Sequence, residues 1–413
     1  MSKTEILSDQ ELKLLTSPFQ PAGYFRDRAR ELAVSACISM IIEPGDRMAG
    51  ALVKAFGKQK LVDLLLHGLL TKSVIAALEE VGQLDTCKAK FGDLESTLSD
   101  SRQRWLPRFS KSRLEHLFIQ SAVLKLQLVT PEDDQWPTGL DDLQDSAPAM
   151  LFVQGKLAAL SQMGQAVSIV GSRAASSYGL QVTSKLVREL AAVDRATVSG
   201  GALGIDAQVH RSSIEHGLST IAVMAGGMDR RYPNANLKLF NQILIHGVLM
   251  SELPPGVAPT RWRFLQRNRL IAALTPTTVV IEAGVRSGSI RTANNALELD
   301  RELYAVPGSV LSGTSLGTNA LIADNKALAL FDLKQFATGA ISASGQQMES
   351  AIAKRAQDAI RERKFPTRSE VAKTAGLTAL ECEIALKELT TQDKVIESRS
   401  SSGEVHYALK YAF

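Results

Sequence analysis

The chain has 413 residues, 45% hydrophobic and 22% charged, a balance that excludes a disordered or fibrous chain; the length exceeds one hydrophobic core and predicts two or three domains. A formal charge of +4 is too small to make a nucleic-acid surface by itself, so any such surface must come from local clusters of Lys and Arg. Cys37, Cys87 and Cys382 lie far apart with no CxxC and no His at ligand spacing, which argues against a disulfide framework or structural zinc and predicts a reducing cytoplasm.

The polar, acidic start MSKTEILSDQELKLL lacks the basic and apolar blocks of a signal peptide, and no stretch reaches the roughly 20 apolar residues of a membrane span. From Asp9 to about Leu124, ELKLL, YFRDRARELAVSACISMII, LVKAF, LVDLLLHGLL and KSVIAALEEV repeat apolar residues at three and four spacing. Residues 1–125 therefore read as an all-helical module of SAM or helix-hairpin type. Near its end Arg102, Arg104, Arg108, Lys111 and Arg113 surround Trp105 and Phe109. Two readings are open there, a solvated helix with core aromatics and a surface for backbone contact and base stacking.

A connector follows with Glu132, Asp133, Asp134, Asp141, Asp142 and Asp145 and no cation, which should lie away from phosphates. From Val167 the apolar runs VSIVG, ATVSG, TIAVMAG, GVLMSE, TTVVIEA and LYAVPG alternate with helical stretches. That alternation predicts an α/β core over residues 126–334, a parallel sheet covered on both faces with ligands beyond its strand C-termini. Residues 335–350, rich in Gly, Ser and Ala, read as a flexible linker. Residues 351–413 follow the order helix, helix, turn, helix and two strands around Ser-Ser-Gly, which is a winged helix.

The informative turns fall where strands end. Gly171-Ser172-Arg173 closes the first strand and opens a helix, where free amides and the helix dipole favour an anion and Arg173 adds a guanidinium fork. Ser199-Gly200-Gly201 closes the second; Gly226-Gly227 closes the third, ahead of Arg230, Arg231 and Tyr232. Ser287-Gly288-Ser289 opens the helix that follows Glu282-Ala283-Gly284. Four small-residue turns on one sheet edge, with Arg267, Asn268 and Arg269 at the mouth of another helix, predict a row of donors for several phosphates. For Arg267 and Arg269 an ion pair with Glu252 or Glu282 is the competing reading; Trp262 and Phe264 serve as core anchors or stacking platforms. Asp206 and His210, four residues apart, read as a cap and a packing device in preference to an acid–base pair. GxGxxG and Walker A motifs are absent and no catalytic constellation is evident, so no cofactor, metal or enzymatic activity is expected.

Taken together, VSIVGSRAASSYG, TVSGGALGIDAQVH, GLSTIAVMAGGMDRRYPNAN, MSELPPG, FLQRNRLIAAL, VVIEAGVRSGSIRTANNALE and LYAVPGSVLSGTSLGTNALI resemble the DNA-processing protein A family, DprA or Smf, in order. Upstream, the spacing of Pro137, Leu140, Pro148, Leu151 and Gly155 fits it too, and the resemblance covers roughly Trp136 to Asp332. It implies a Rossmann-like core that binds and protects incoming single-stranded DNA, dimerises, and loads RecA recombinase during natural transformation. On that basis Gly171, Ser172, Arg173, Ser199, Gly200, Gly201, Arg267, Asn268, Arg269, Ser287, Gly288 and Ser289 would line a DNA groove; Arg230, Arg231 and Tyr232 are added from their place at the third strand's edge. Gly201 stands where the family has a larger apolar residue, and Gln266 where it has Pro. The tail's third helix carries Glu381 and Glu383, which leaves protein contact open beside DNA contact. A nucleotide phosphoribohydrolase on the same kind of core is the alternative, although its PGGxGTxxE run is not reproduced by EAGVRSGSIRTANNALE.

Overall fold

A computed structural model describes residues 6–20, 22–339, 351–363, 365–391, 394–400 and 403–410, which fall into two compact units, Met1–Ala340 and Ile341–Phe413. Among the described residues no helix is long and apolar enough to cross a membrane, and no cluster of His, Cys, Asp and Glu could hold a metal ion.

Unit one opens with helices α1 (Asp9–Thr16), α2 (Arg26–Ile41), α3 (Arg47–Leu66), α4 (Thr71–Glu80), α5 (Leu84–Phe91), α6 (Leu94–Trp105) and α7 (Lys111–Val123). Their starts follow from capping chemistry: Ser8 and Glu11 form a reciprocal box on α1, and Asp46 and Asp93 accept amides of the first turns of α3 and α6. Much of the basic and aromatic stretch is engaged within the module, although Arg113 is exposed. Trp105 is 1% exposed and donates to Asp46 (3.1 Å), Arg104 pairs with Asp46 (3.3 Å), Arg108 with Glu43 (2.7 Å) and Lys111 with Glu11 (2.6 Å), while Arg102 donates to the Gly68 carbonyl (2.8 Å). The connector's acids likewise meet protein cations: Asp133 pairs with Arg28 (2.6 Å), Glu132 with Lys58 (3.0 Å) and Asp145 with Lys90.

The sheet contains β1 (Gln127–Val129), β2 (Leu151–Gly155), β3 (Val167–Val170), β4 (Thr197–Ser199), β5 (Thr220–Val223), β6 (Val248–Ser251), β7 (Thr277–Val280), β8 (Glu302–Ala305) and β9 (Leu328–Ala329). Its order is β1-β2-β6-β5-β4-β3-β7-β8-β9; β6 through β9 are parallel, while β2 joins β6 antiparallel and β1 joins β2 antiparallel. The six expected strands are present. The connector adds β1 and β2, so the sheet is mostly rather than wholly parallel; these runs are too short to stand out from loop by periodicity.

Between the strands lie α8 (Ser177–Ala191), α9 (Ile205–Glu215), α10 (Leu237–His246), α11 (Arg261–Leu274), α12 (Gly288–Glu298), α13 (Leu316–Ala323) and α14 (Leu333–Ala337). Strand side chains alternate between two cores: Ile221 and Val223 join the core beneath α11, Ala222 the one that holds Phe240 of α10. The second of these cores runs unbroken into Leu32, Ile41 and Leu65 of the N-terminal helices, so residues 1–125 and 126–334 share one compact unit. At the proposed linker, Gln335–Ala337 complete α14, with Phe336 edge-on to Tyr304 (4.9 Å, 74°); residues 340–350 lie outside the described residues. Burying an aromatic anchored that helix where composition alone predicted flexibility.

Unit two, in its described residues, contains α15 (Ala351–Glu362), α16 (Arg368–Ala375), α17 (Ala379–Thr391) and an antiparallel pair, β10 (Val395–Arg399) with β11 (Val405–Leu409). Its core joins Val371, Cys382, Leu386, Leu389 and Val395, and a bridge ties Thr367 to His406.

Candidate nucleic-acid interface

From β3 the chain steps outward through β4, β5 and β6, then returns across β3 to β7. The order therefore reverses between β3 and β7, and in an open α/β sheet the loops beyond such a reversal part to leave a crevice. A pocket of about 380 Å³ occupies that position, walled by Gly171–Ala174 after β3, Ala202 and Asp206 after β4, Arg267, Asn268 and Ile271 on α11, and Ser287–Ser289 opening α12.

Its frame is backbone held at close range. Gly204, at φ +75°, starts α9 so near the β3 turn that a Cβ would sit 2.3 Å from the Ser172 carbonyl, the same carbonyl that accepts from Ile205 N (3.1 Å). Ser289 Oγ donates to the Gly171 carbonyl (2.8 Å) and Asn268 Nδ2 to the Gly288 carbonyl (3.1 Å), which ties α12 to both β3 and α11. Ser287 caps α12 by accepting from Ile290 N (3.3 Å), and the Gly288 and Ser289 amides ahead of it have no intrahelical partner by position. The positive end of α12 therefore faces the pocket.

Arg267 forms the floor. It is 5% exposed and donates to the Gly200 carbonyl (2.6 Å) and the Val223 carbonyl, opposite the buried carboxyl of Asp206. Burial lowers the Arg267 guanidinium to about 10 and raises the Asp206 carboxyl, while their mutual attraction opposes both shifts. Gly200 has no room for a side chain: a Cβ would lie 2.7 Å from both Arg267 and Asp206. Asp206 also accepts from Ala202 N (3.2 Å). His210 donates or accepts at Nδ1 with Thr220 Oγ1 (2.8 Å), and burial pushes its imidazole down to about 3. No hydrogen bond joins Asp206 to His210 among the described residues: His210 is a packed ring, whereas Asp206 is not a cap, because Gly204 starts α9 and the Asp206 carboxylate accepts from Ala202 N upstream of the helix instead.

A second hollow, about 550 Å³, continues outward from Arg173, Ser287 and Gly288 past Tyr232, Pro259, Arg261, Phe264 and Arg286. The Phe264 ring lies between two cations, with the Arg173 and Arg267 guanidinium carbons 5.2 and 5.7 Å from its centroid, and Tyr232 meets it edge-on (5.8 Å, 65°). Arg173, Arg261 and Arg286 are exposed and form no ion pair among the described residues. Sequence reading passed over Arg261 and Arg286, although one heads RWRFLQRNR and the other sits inside AGVRSGS.

Six expected residues do not line these hollows. Ser199 is fully buried and donates to the Ile169 carbonyl (2.7 Å). Gly200 lies beneath Arg267, and Gly201 is buried with its carbonyl taken by Asn236 (3.0 Å). Arg230 is exposed beside Asp229 (3.5 Å). Arg231 turns to the far strand edge, where Gln154 (2.6 Å) and Asn241 (3.0 Å) hold it. Arg269 pairs with buried Glu252 (2.5 Å), because two residues along a helix turn about 200° and carry it away from Arg267. The ion-pair reading holds for Arg269.

A family model described as DNA recombination-mediator protein A matches residues 127–339. A putative DNA processing protein DprA from Mycobacterium tuberculosis is 43% identical over 206 residues, covering 48% of this chain and 53% of the relative. DprA from Bacillus subtilis is 40% identical over 188 residues, 46% of this chain and 63% of the relative. The match thus spans about half the length of the mycobacterial protein. Among solved structures, the X-ray structure of DprA from Streptococcus pneumoniae aligns with a TM-score of 0.55 and 29% identity, over 75% of this chain and 95% of that one. A structure concerned with the single-stranded DNA binding mode of DNA processing protein A from Helicobacter pylori aligns at 0.47 with 30% identity, over 52% of this chain and 97% of that one. With a match over more than half of its residues, set on a sheet whose turns carry the matching motifs, the chain belongs to the DNA recombination-mediator protein A family.

Proposed function

We propose that the switch-point pocket and the outer hollow form one track for single-stranded DNA, and that this protein receives and protects incoming single strands and hands them to the RecA recombinase in the cytoplasm. One observation carries the reading: an exposed, unpaired Arg173 stacked on Phe264, beside the free amides of α12 and flanked by Arg261 and Arg286. Cations and helix amides suit a phosphate backbone, and exposed Tyr232 and half-buried Phe264 offer faces for unstacked bases, which a duplex keeps inside. Gly171, Ser172, Arg173, Asn268, Tyr232, Ser287, Gly288 and Ser289 are assigned to DNA contact. Arg267 and Ser289 are assigned to hold the frame as well.

Recombinase loading rests on the family's description as a recombination mediator. Pairing of two copies is supported by apolar side chains at the β9 end of the sheet, Leu328 at 44% and Phe331 at 70% exposure. Unit two is read as a winged helix, and Leu380 and Ile384 exposed on α17 favour a protein surface over a DNA groove.

The test is a salt titration of binding to a labelled single-stranded oligonucleotide and to its duplex. Binding to the single strand should be tighter, weakly dependent on sequence and steeply dependent on salt. Arg173→Ala should weaken it by about 1–3 kcal/mol and reduce the salt slope by about one. Parental binding by Arg173→Ala throughout the titration would remove the assignment.

A further inference from the structure

Helix α11 has two working faces. Phe264, Arg267, Asn268 and Ile271 look into the track. Arg263, Gln266 and Arg269, on the opposite side, meet the turn between α2 and α3. Glu43 of that turn accepts from Arg263 Nε (3.2 Å) and Nη2 (2.7 Å), while Arg263 Nη1 donates to the Ala258 carbonyl (2.8 Å). A Cβ on Gly45 would lie 2.6 Å from Gln266 Oε1 and 3.3 Å from Arg269 Nε, so the turn's backbone packs closely against these two side chains of α11.

The turn is itself braced. Arg108 pairs with Glu43 (2.7 Å), and Asp46 takes Arg104 (3.3 Å) and Trp105 Nε1 (3.1 Å) while it caps α3. Arg104, Trp105 and Arg108 of the basic and aromatic stretch thereby brace this turn.

We propose that the α2–α3 turn is a clamp on α11 and that Glu43 is a positioning residue for the DNA track, acting through Arg263 on Phe264 and Arg267. The bidentate pair fixes the first turn of α11, the turn that carries Arg261 and Phe264. Without it α11 is still attached to the sheet through Arg267, but its N-terminal turn loses the partner that sets its angle. The N-terminal module thus sets affinity for a strand it does not touch. This rests on the single-strand reading above.

Electrostatics and clamping predict opposite signs. Glu43→Gln removes a negative charge near the track, so field effects alone would tighten binding of a polyanion. The clamp predicts roughly three- to tenfold weaker binding of the single-stranded oligonucleotide, the scale of one charge-assisted contact, with the salt slope unchanged because no phosphate contact is lost. The full-length parent, Glu43→Gln, Arg263→Gln, the double variant of these two, and Arg173→Ala are titrated with the same oligonucleotide, and folding is checked by circular dichroism. Weaker binding by Glu43→Gln in the parent, with no further loss when it is added to Arg263→Gln, supports the clamp. Equal or tighter binding by Glu43→Gln overturns it, as does an equal loss when it is added to Arg263→Gln. Should Glu43→Gln fail to fold, Glu43→Asp, equal in charge and one methylene short of the bidentate pair, takes its place with the same outcomes. Loss of the underlying reading shows separately, as an Arg173→Ala variant that binds like the parent.

Discussion

Arg267 and Arg173 are both arginines of the same pocket, yet replacing them should have different consequences. Arg267→Ala leaves the Gly200 and Val223 carbonyls without their donor and Asp206 without its counter-charge, all in the interior. Breaking a buried charge pair from one side costs about 3–5 kcal/mol, and protonation of Asp206, whose carboxyl burial already raises, sets a ceiling on that cost. Arg173 is exposed and its loss should change stability by no more than about 0.5 kcal/mol. Urea unfolding followed by circular dichroism, with oligonucleotide binding measured on the same preparations, separates the two. The expected pattern is a much lower urea midpoint for Arg267→Ala and a parental midpoint with weak DNA binding for Arg173→Ala. Arg267→Lys should lie between, since an ammonium keeps the charge but loses the rigid fork whose Nη1 meets both carbonyls while Nε donates to Asn268 (3.2 Å). If Arg267→Ala unfolds at the parental midpoint, the assignment of this residue as a strut under the pocket is refuted.

Phe264→Leu should weaken single-strand binding by about 1–3 kcal/mol across sequences and narrow the preference over duplex, measured by fluorescence anisotropy; an unchanged preference would count against base stacking there. Acidification should reveal His210. Its imidazole falls from 6.5 unfolded to about 3 folded, so the unfolded chain takes up the proton first. Stability should rise with pH between about 3 and 6.5 and level off above, with an upper bound near 5 kcal/mol from about 1.4 kcal/mol per pKa unit. Asp206, raised by burial, works in the opposite direction above 3.8 and removes part of the slope. Urea midpoints for parent and His210→Gln between pH 4 and 7 check this; equal slopes would show that another group governs the acid limb.

Much of the fold was legible because it rests on short-range signals. Apolar strands and the small-residue turns Gly171–Arg173 and Ser287–Ser289 are local, and they placed six strands and the edge that carries the pocket. What stayed hidden was the partner of each polar side chain. The spacing of Arg267 and Arg269 did not say which one meets Glu252; helix phase relative to the sheet decided it. Arg231 belongs to the right loop but is captured by Gln154, a residue 77 positions away. Phe336 turned a stretch of linker composition into helix by finding Tyr304.

The sequence by itself determined the layered α/β core, the donor-rich turns and the family, because each is encoded within a few residues of itself. Tertiary structure alone decided which charges are spent on the protein and which remain for a ligand. Arg102, Arg104 and Arg108 looked free and are bound; Arg173, Arg261 and Arg286 remain unpaired among the described residues. The physical reason is that a charge acts through space on whatever the fold brings within a few ångströms, and in this chain Glu43 meets its arginine across 220 residues of sequence.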